Sequence, residues 1–119
     1  MQIIHWKTPV AADWKRALDL KDIRLSNNGL RVEVEEESGK SWVFEFGPLQ
    51  AWKVTAEECA GNIVSQLPIA GSLFILEQSL WLDELGKSGA LDRSKHFVVC
   101  CYDEILEVLA WDCMITPKA

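Results

Sequence analysis

Residues 95–112 read KHFVVCCYDEILEVLAWD, two apolar runs on either side of an Asp103-Glu104 turn. The pattern predicts a β-hairpin. With Tyr102 opposite Ile105, one face carries Phe97, Val99 and Cys101 against Leu106, Val108 and Ala110, with no polar residue among them. Such a face belongs in a core. The other face carries His96, Val98, Cys100 and Tyr102 against Ile105, Glu107, Leu109 and Trp111, still too apolar for open water. A hairpin covered on both sides is the middle of a sheet, so the remaining segments are expected to pack around it.

Upstream, residues 23–25 and 30–37 flank Ser26-Asn27-Asn28-Gly29, and Asn-Gly supplies the positive φ angles of a tight turn. In the second of these strands Leu30, Val32 and Val34 alternate with Arg31, Glu33 and Glu35, so one face is buried and the other solvated. Ser38-Gly39-Lys40 then turns the chain into residues 42–46, where Trp42, Phe44 and Phe46 share a face, and a three-stranded meander results. Gly47-Pro48 is expected to break that strand, with a weaker β segment resuming over 49–54. At the start of the chain, residues 1–7 read as an edge strand. Thr8 as N-cap and Pro9 as the first helical residue, with Val10, Trp14, Ala17 and Leu18 at helical spacing, predict a short helix.

Thr55-Ala56-Glu57-Glu58 matches a capping box and predicts a helix carrying Ala60, Ile63, Val64 and Leu67 until Pro68. Residues 73–76 form a short strand, and Ser79 caps a brief helix with Leu80, Trp81, Leu82 and Leu85 that stops at Gly86. Residues 87–93 read as a polar loop, and the tail after Met114 is expected to fray. Together these segments make one α+β domain over residues 1–119. Its mostly antiparallel sheet has about six strands, two or three short helices, and the C-terminal hairpin at its centre.

Composition narrows the function classes. A net charge of −6 and a pI near 4.8 oppose nucleic-acid binding, which needs a concentrated positive field. The acidic balance serves solubility and would equally suit a basic protein partner. Four cysteines without a CxxC pair, and only two histidines, assemble no zinc spacing, so the cysteines read as reduced core residues. The first residues, MQIIHWKTPV, lack the pattern of a signal segment, and no apolar run approaches a bilayer span. The expectation is a cytoplasmic protein with no membrane partner.

Chemistry-bearing motifs are sparse. His96 at the mouth of the hairpin reads as a packed or solvent-edge histidine, and a Cys100/His96 pair two positions apart on one strand face is not normally in contact. Glu107, opposite Cys100 in this register, is the carboxylate most worth watching. None of the common nucleotide, metalloprotease or serine-hydrolase motifs occurs, which removes the commonest nucleotide, metal and hydrolase readings, though not every enzyme carries such a motif. Six tryptophans, Trp6, Trp14, Trp42, Trp52, Trp81 and Trp111, are mostly core material, with Trp81 beside Asp83 and Glu84 as the best candidate for an exposed anchor.

The order of segments 42–46 (WVFEF), 48–52 (PLQAW), 55–58, 77–82 (EQSLWL), 96–99 (HFVV) and 103–110 (DEILEVLA) resembles small bacterial immunity proteins, the partners of polymorphic or contact-dependent toxins. It covers residues 42–112, while the Cys100-Cys101 pair and the first 40 residues depart from that pattern. The resemblance implies no catalytic residue and no cofactor. It implies stoichiometric binding and neutralisation of a cognate toxin, for which an acidic surface would suit a basic toxin domain. The candidate contact set is Glu77, Trp81, Asp83, Glu84, Asp103 and Glu104. The alternative is a small structural or assembly module that forms a homodimer through the second face of the hairpin. An enzyme or small-molecule binder would require His96, Glu107 and Cys100 to line one cavity.

Overall fold

The computed structural model describes residues 2–86 and 93–119. Apart from Arg93, the expected polar loop therefore lies outside the described residues. Seven strands, β1 (Gln2–His5), β2 (Leu18–Ser26), β3 (Gly29–Glu36), β4 (Ser41–Ala56), β5 (Leu73–Glu77), β6 (Lys95–Cys100) and β7 (Glu104–Pro117), form one sheet. Its order is β1-β5-β6-β7-β4-β3-β2, and neighbouring strands run antiparallel throughout. The β6-β7 hairpin is central as expected, with β7 in the middle position.

The hairpin turns one residue earlier than its sequence suggests. Cys101 donates its N–H to the Glu104 carbonyl at 2.8 Å, and Cys100 pairs with Ile105, so the corner is Tyr102-Asp103. Tyr102 is drawn out of the ladder because its N–H donates to the Leu18 carbonyl at 2.8 Å, beside a parallel bridge from Leu18 to Cys101. Pairing therefore shifts by two residues, which leaves each side chain still in the ladder on its expected face but changes its partner, while Tyr102 moves from the covered face to the exposed corner. Glu107 stands opposite Val98 rather than Cys100. The expected register would have separated Glu107 from His96, burying two polar groups unpaired; the observed one makes them diagonal neighbours joined at 2.9 Å.

That Leu18 bridge also decides the shape of the sheet. It brings the start of β2 to the end of β6, so β6, β7, β4, β3 and β2 curl around an inner core of Phe97, Val99, Leu106, Val108, Val32, Val34, Phe44 and Phe46. Trp6 enters this core from the segment after β1, with ring centroids 4.8 Å from Phe97 and 5.6 Å from Phe44. The outer face of β5, β6 and β7 makes a second core, in which Phe74, Leu76, Val98, Cys100 and Ile105 are covered by Ala60, Ile63, Val64, Leu67 and Ile3. The hairpin face considered for homodimerisation is thus largely occupied by the chain's own segments.

Helix is scarcer than expected and sheet more extensive, with seven strands instead of about six. Residues 57–59 form a single 3-10 turn and α1 (Gly61–Val64) one α turn. Among the described residues α2 (Leu80–Leu85) is the only helix longer than a turn. Ser79 caps it as predicted, its hydroxyl accepting from Leu82 N–H at 3.1 Å, and the helix ends at Gly86. Thr55 is not a cap, because β4 keeps pairing with β7 as far as Ala56 opposite Glu104.

No helix forms over residues 8–17. The Ala11 N–H donates to the buried carboxylate of Glu36 at 2.8 Å, and the Ala12 carbonyl accepts from Ser72 N–H at 3.1 Å. Backbone groups a helix would use internally are thereby tied to the sheet. Gly47-Pro48 does not end β4 either: its peptide bond is cis, and a bulge follows between Leu49 and Ala51. β3 pairs with β4 no further than Phe46, so Pro48 stands where one side of β4 lacks a strand partner. Rather than fraying, the C-terminal tail continues β7 to Pro117 opposite Trp42, with Ile115 packed on the inner core.

The hairpin turn keeps its place, but its corner is Asn27-Asn28, and neither Asn28 nor Gly29 takes the positive φ expected of Asn-Gly. Asn27 takes the left-handed conformation (φ 46°) and Gly29 pairs with Ser26, while a Cβ on Gly29 would lie 2.8 Å from the Phe46 carbonyl oxygen. Only glycine allows β3 and β4 to approach that closely there.

Candidate functional site

Two clusters of polar and aromatic side chains lie along the hairpin, one on its outer face and one at its tip. The first lies on the outer face, where strand alternation puts His96 of β6, Glu107 of β7, and Lys53 and Thr55 of β4 on one side. His96 and Glu107 are 3% and 5% exposed, and the imidazole Nε2 donates to Glu107 Oε1 at 2.9 Å. Among the described residues Nδ1 of His96 is buried without a partner. The second carboxylate oxygen, Oε2, faces Lys53 Nζ at 3.8 Å, an ion pair too long for a hydrogen bond. Trp81 of α2 closes this group from above: its indole meets His96 edge-on at 5.4 Å and lies under the Lys53 ammonium at 4.3 Å. Beside it a groove of about 350 Å³ is bounded by Lys53, Thr55, Glu107 and the turn from Cys59 to Ile63.

Cys100 does not join this wall. It sits in the outer core, where burial pushes its thiol up to about 12, so it remains protonated and inert at neutral pH. Burial likewise raises the thiols of Cys101 and Cys113. All four cysteines are free, and Cys59 is the exposed one. The three residues that an enzyme reading would require in one cavity are therefore not together: the groove takes Glu107 alone of them.

The second cluster lies at the hairpin tip, along the seam where β2 meets the turn. Tyr102 is 51% exposed and Trp14 40%, and a cleft of about 360 Å³ between them is walled by Arg16, Ala17, Asp19 and Glu37. Trp14 donates its indole N–H to Glu37 at 2.6 Å. Arg16 lies over the Tyr102 ring and is engaged by both carboxylate oxygens of Glu57. Glu104 has its carboxyl raised by partial burial and by the charges of Asp103 and Asp19. Among the described residues no cation makes an ion pair with Asp19, Asp103 or Glu104. Among the described residues the tip thus holds carboxylates outside any ion pair, with Arg16, already bound to Glu57, the cation that feels the charge of Asp103.

Of the six residues expected to contact a partner, Asp103 and Glu104 belong to this tip. Trp81, Asp83 and Glu84 lie on α2, and Glu77 ends β5. The run of β6 from His96 to Cys101 separates the two groups by roughly 17 Å. They form two surfaces, not one. Trp81 is half-buried against His96 and Lys53, while Asp83 and Glu84 are exposed. Trp14, Asp19 and Tyr102 were outside the expected contact set; they meet at the tip only because the Leu18 bridge folds β2 onto the turn. An aromatic residue at a hairpin corner was the one local sign, and Tyr102 carries it.

Comparisons with protein-family models, with curated proteins and with solved structures returned no match. Among the described residues no group of three or more His, Cys, Asp or Glu is placed to hold a metal ion, and no helix is long and apolar enough to cross a membrane.

Proposed function

We propose that the chain is a stoichiometric protein-binding module, and within that class an immunity protein that covers the basic surface of a toxin domain in the bacterial cytoplasm. The observation that carries this reading is the tip: two exposed aromatic rings beside Asp19, Asp103 and Glu104, none of them ion-paired among the described residues. Aromatic side chains supply contact area at little entropic cost, and unneutralised carboxylates accelerate and orient the approach of a cationic partner. This reading uses no catalytic residue and no cofactor.

The test combines capture with protection. Tagged protein is expressed with the product of the neighbouring gene, and survival of the producing cells is scored together with recovery of the complex. Wild type is expected to hold a basic toxin domain and to rescue growth. Tyr102→Ala with Asp103→Lys should abolish both, whereas Trp81→Ala with Asp83→Lys, at the far end of the hairpin, should leave both intact. Recovery of nothing except the protein itself, with no protection, would remove the immunity reading and direct attention to self-association.

A further inference from the structure

The outer-face groove is a separate feature that protein binding at the tip does not use. We infer that it is a binding site for a small zwitterion of the α-amino-acid class, whose ammonium pairs with Glu107 and whose carboxylate pairs with Lys53.

Glu107 is 5% exposed, and its two oxygens have different fates. Oε1 is held by His96 at 2.9 Å, which fixes the plane of the carboxylate. Oε2 faces Lys53 Nζ at 3.8 Å, among the described residues is given no hydrogen bond, and belongs to a residue that borders the groove. A carboxylate whose plane is already fixed at the wall of a groove is pre-organised to accept an incoming N–H. Lys53 is held back from closing the gap because its ammonium rests on the Trp81 indole, 4.3 Å from the ring centroid. His96 and Trp81 thus position the two charges, and the groove between them and residues 59–63 stays open.

The charge pattern then selects the ligand class. An amine alone would meet Lys53, and an anion alone would meet Glu107. A molecule carrying both charges on one carbon can align antiparallel to a pair 3.8 Å apart, so that each charge meets its opposite. Thr55, two residues from Lys53 on the same strand face, offers a hydroxyl to the same ligand. Ala60 and Ile63 supply an apolar wall for a short side chain, and the volume, about 350 Å³, lies at the small end of ligand pockets.

The experiment uses the full chain, ¹⁵N-labelled, titrated separately with L-alanine, L-valine, ethylammonium and acetate. Saturable shifts of the Thr55 amide and the Trp81 indole N–H are expected with an amino acid, and binding of each half-ligand should be weaker by about tenfold or more. Lys53→Met changes a half-exposed side chain and keeps the fold, and it should weaken amino-acid binding by a similar factor, as should Glu107→Gln. The inference is overturned if no amino acid gives saturable shifts at millimolar concentration. It is equally overturned if either half-ligand binds as well as the zwitterion, or if Lys53→Met leaves binding unchanged.

Discussion

The two faces of the β6-β7 hairpin are equally dry but differently made. The inner face holds only apolar side chains, Phe97, Val99 and Cys101 against Leu106, Val108 and Ala110, whereas the outer face seats His96 and Glu107 among Val98, Cys100, Ile105 and Leu109. Apolar packing rewards buried area and is nearly indifferent to a two-residue slip, since the same face stays inward. The polar pair is not indifferent. Only the observed register sets Glu107 diagonal to His96, so the outer face penalises the slip that the inner face would tolerate. The inner face supplies stability, and the outer one supplies register at the cost of burying a carboxylate.

Truncation of the inner face should break the comparison most strongly. Phe97→Ala removes a ring packed against Trp6 and Phe46 and should cost about 3–5 kcal/mol in urea denaturation. On the outer face, His96→Leu leaves Glu107 buried without its hydrogen bond and should cost about 2–3 kcal/mol. Adding Glu107→Met should recover most of that loss, because an apolar pair can replace a buried polar one. A double-mutant cycle without such recovery would show that the pair is not coupled.

A second buried acid sharpens the contrast. Glu36 accepts from Ala11 N–H, from the Trp42 indole at 2.7 Å and from the Ser38 hydroxyl at 2.9 Å, and these bonds, led by the Ala11 amide, hold its carboxyl below the usual range against the opposing effect of burial. A depressed carboxylate contributes stability that is present above its unfolded pKa, about 4.3, and is lost as pH falls through the lower folded value. Glu36→Gln should therefore flatten the acid limb of the stability profile and cost about 1–2 kcal/mol at pH 7, measured by denaturation across pH.

Smaller effects test how the outer face is covered. Ser79→Ala removes the cap of α2 and should cost about 1 kcal/mol, visible as faster amide exchange in that helix. Thiol labelling compares the faces without altering stability. Cys100 reports the outer face and Cys101 the inner, and both should stay unlabelled in native protein while Cys59 reacts at once. Fast labelling of Cys100 alone would mean that the outer face opens.

Segments governed by local pairing were legible in advance. Asn27-Asn28-Gly29 and the alternation in β3 needed only neighbours in sequence, and Ser79 caps α2 from three residues away. The helix expected at Thr8 failed because its backbone groups answer to Glu36 and Ser72, which lie far along the chain. The candidate site divided in the same way. Asp103 and Glu104 could be placed on a hairpin tip, but Trp14 and Asp19 reach that tip only through the curl of the sheet. In sequence Trp81 stands out for its acidic neighbours, while its contacts, His96 and Lys53, come from the strands β6 and β4.

From its own residues the chain determined an antiparallel hairpin with two apolar faces, because side-chain period and turn chemistry are local properties. Tertiary structure alone decided the pairing register, the conversion of an apparent helix into a tethered segment, and the meeting of Lys53, His96 and Glu107. Each depends on which distant backbone or carboxylate satisfies a buried polar group, and no short stretch of sequence contains that partner.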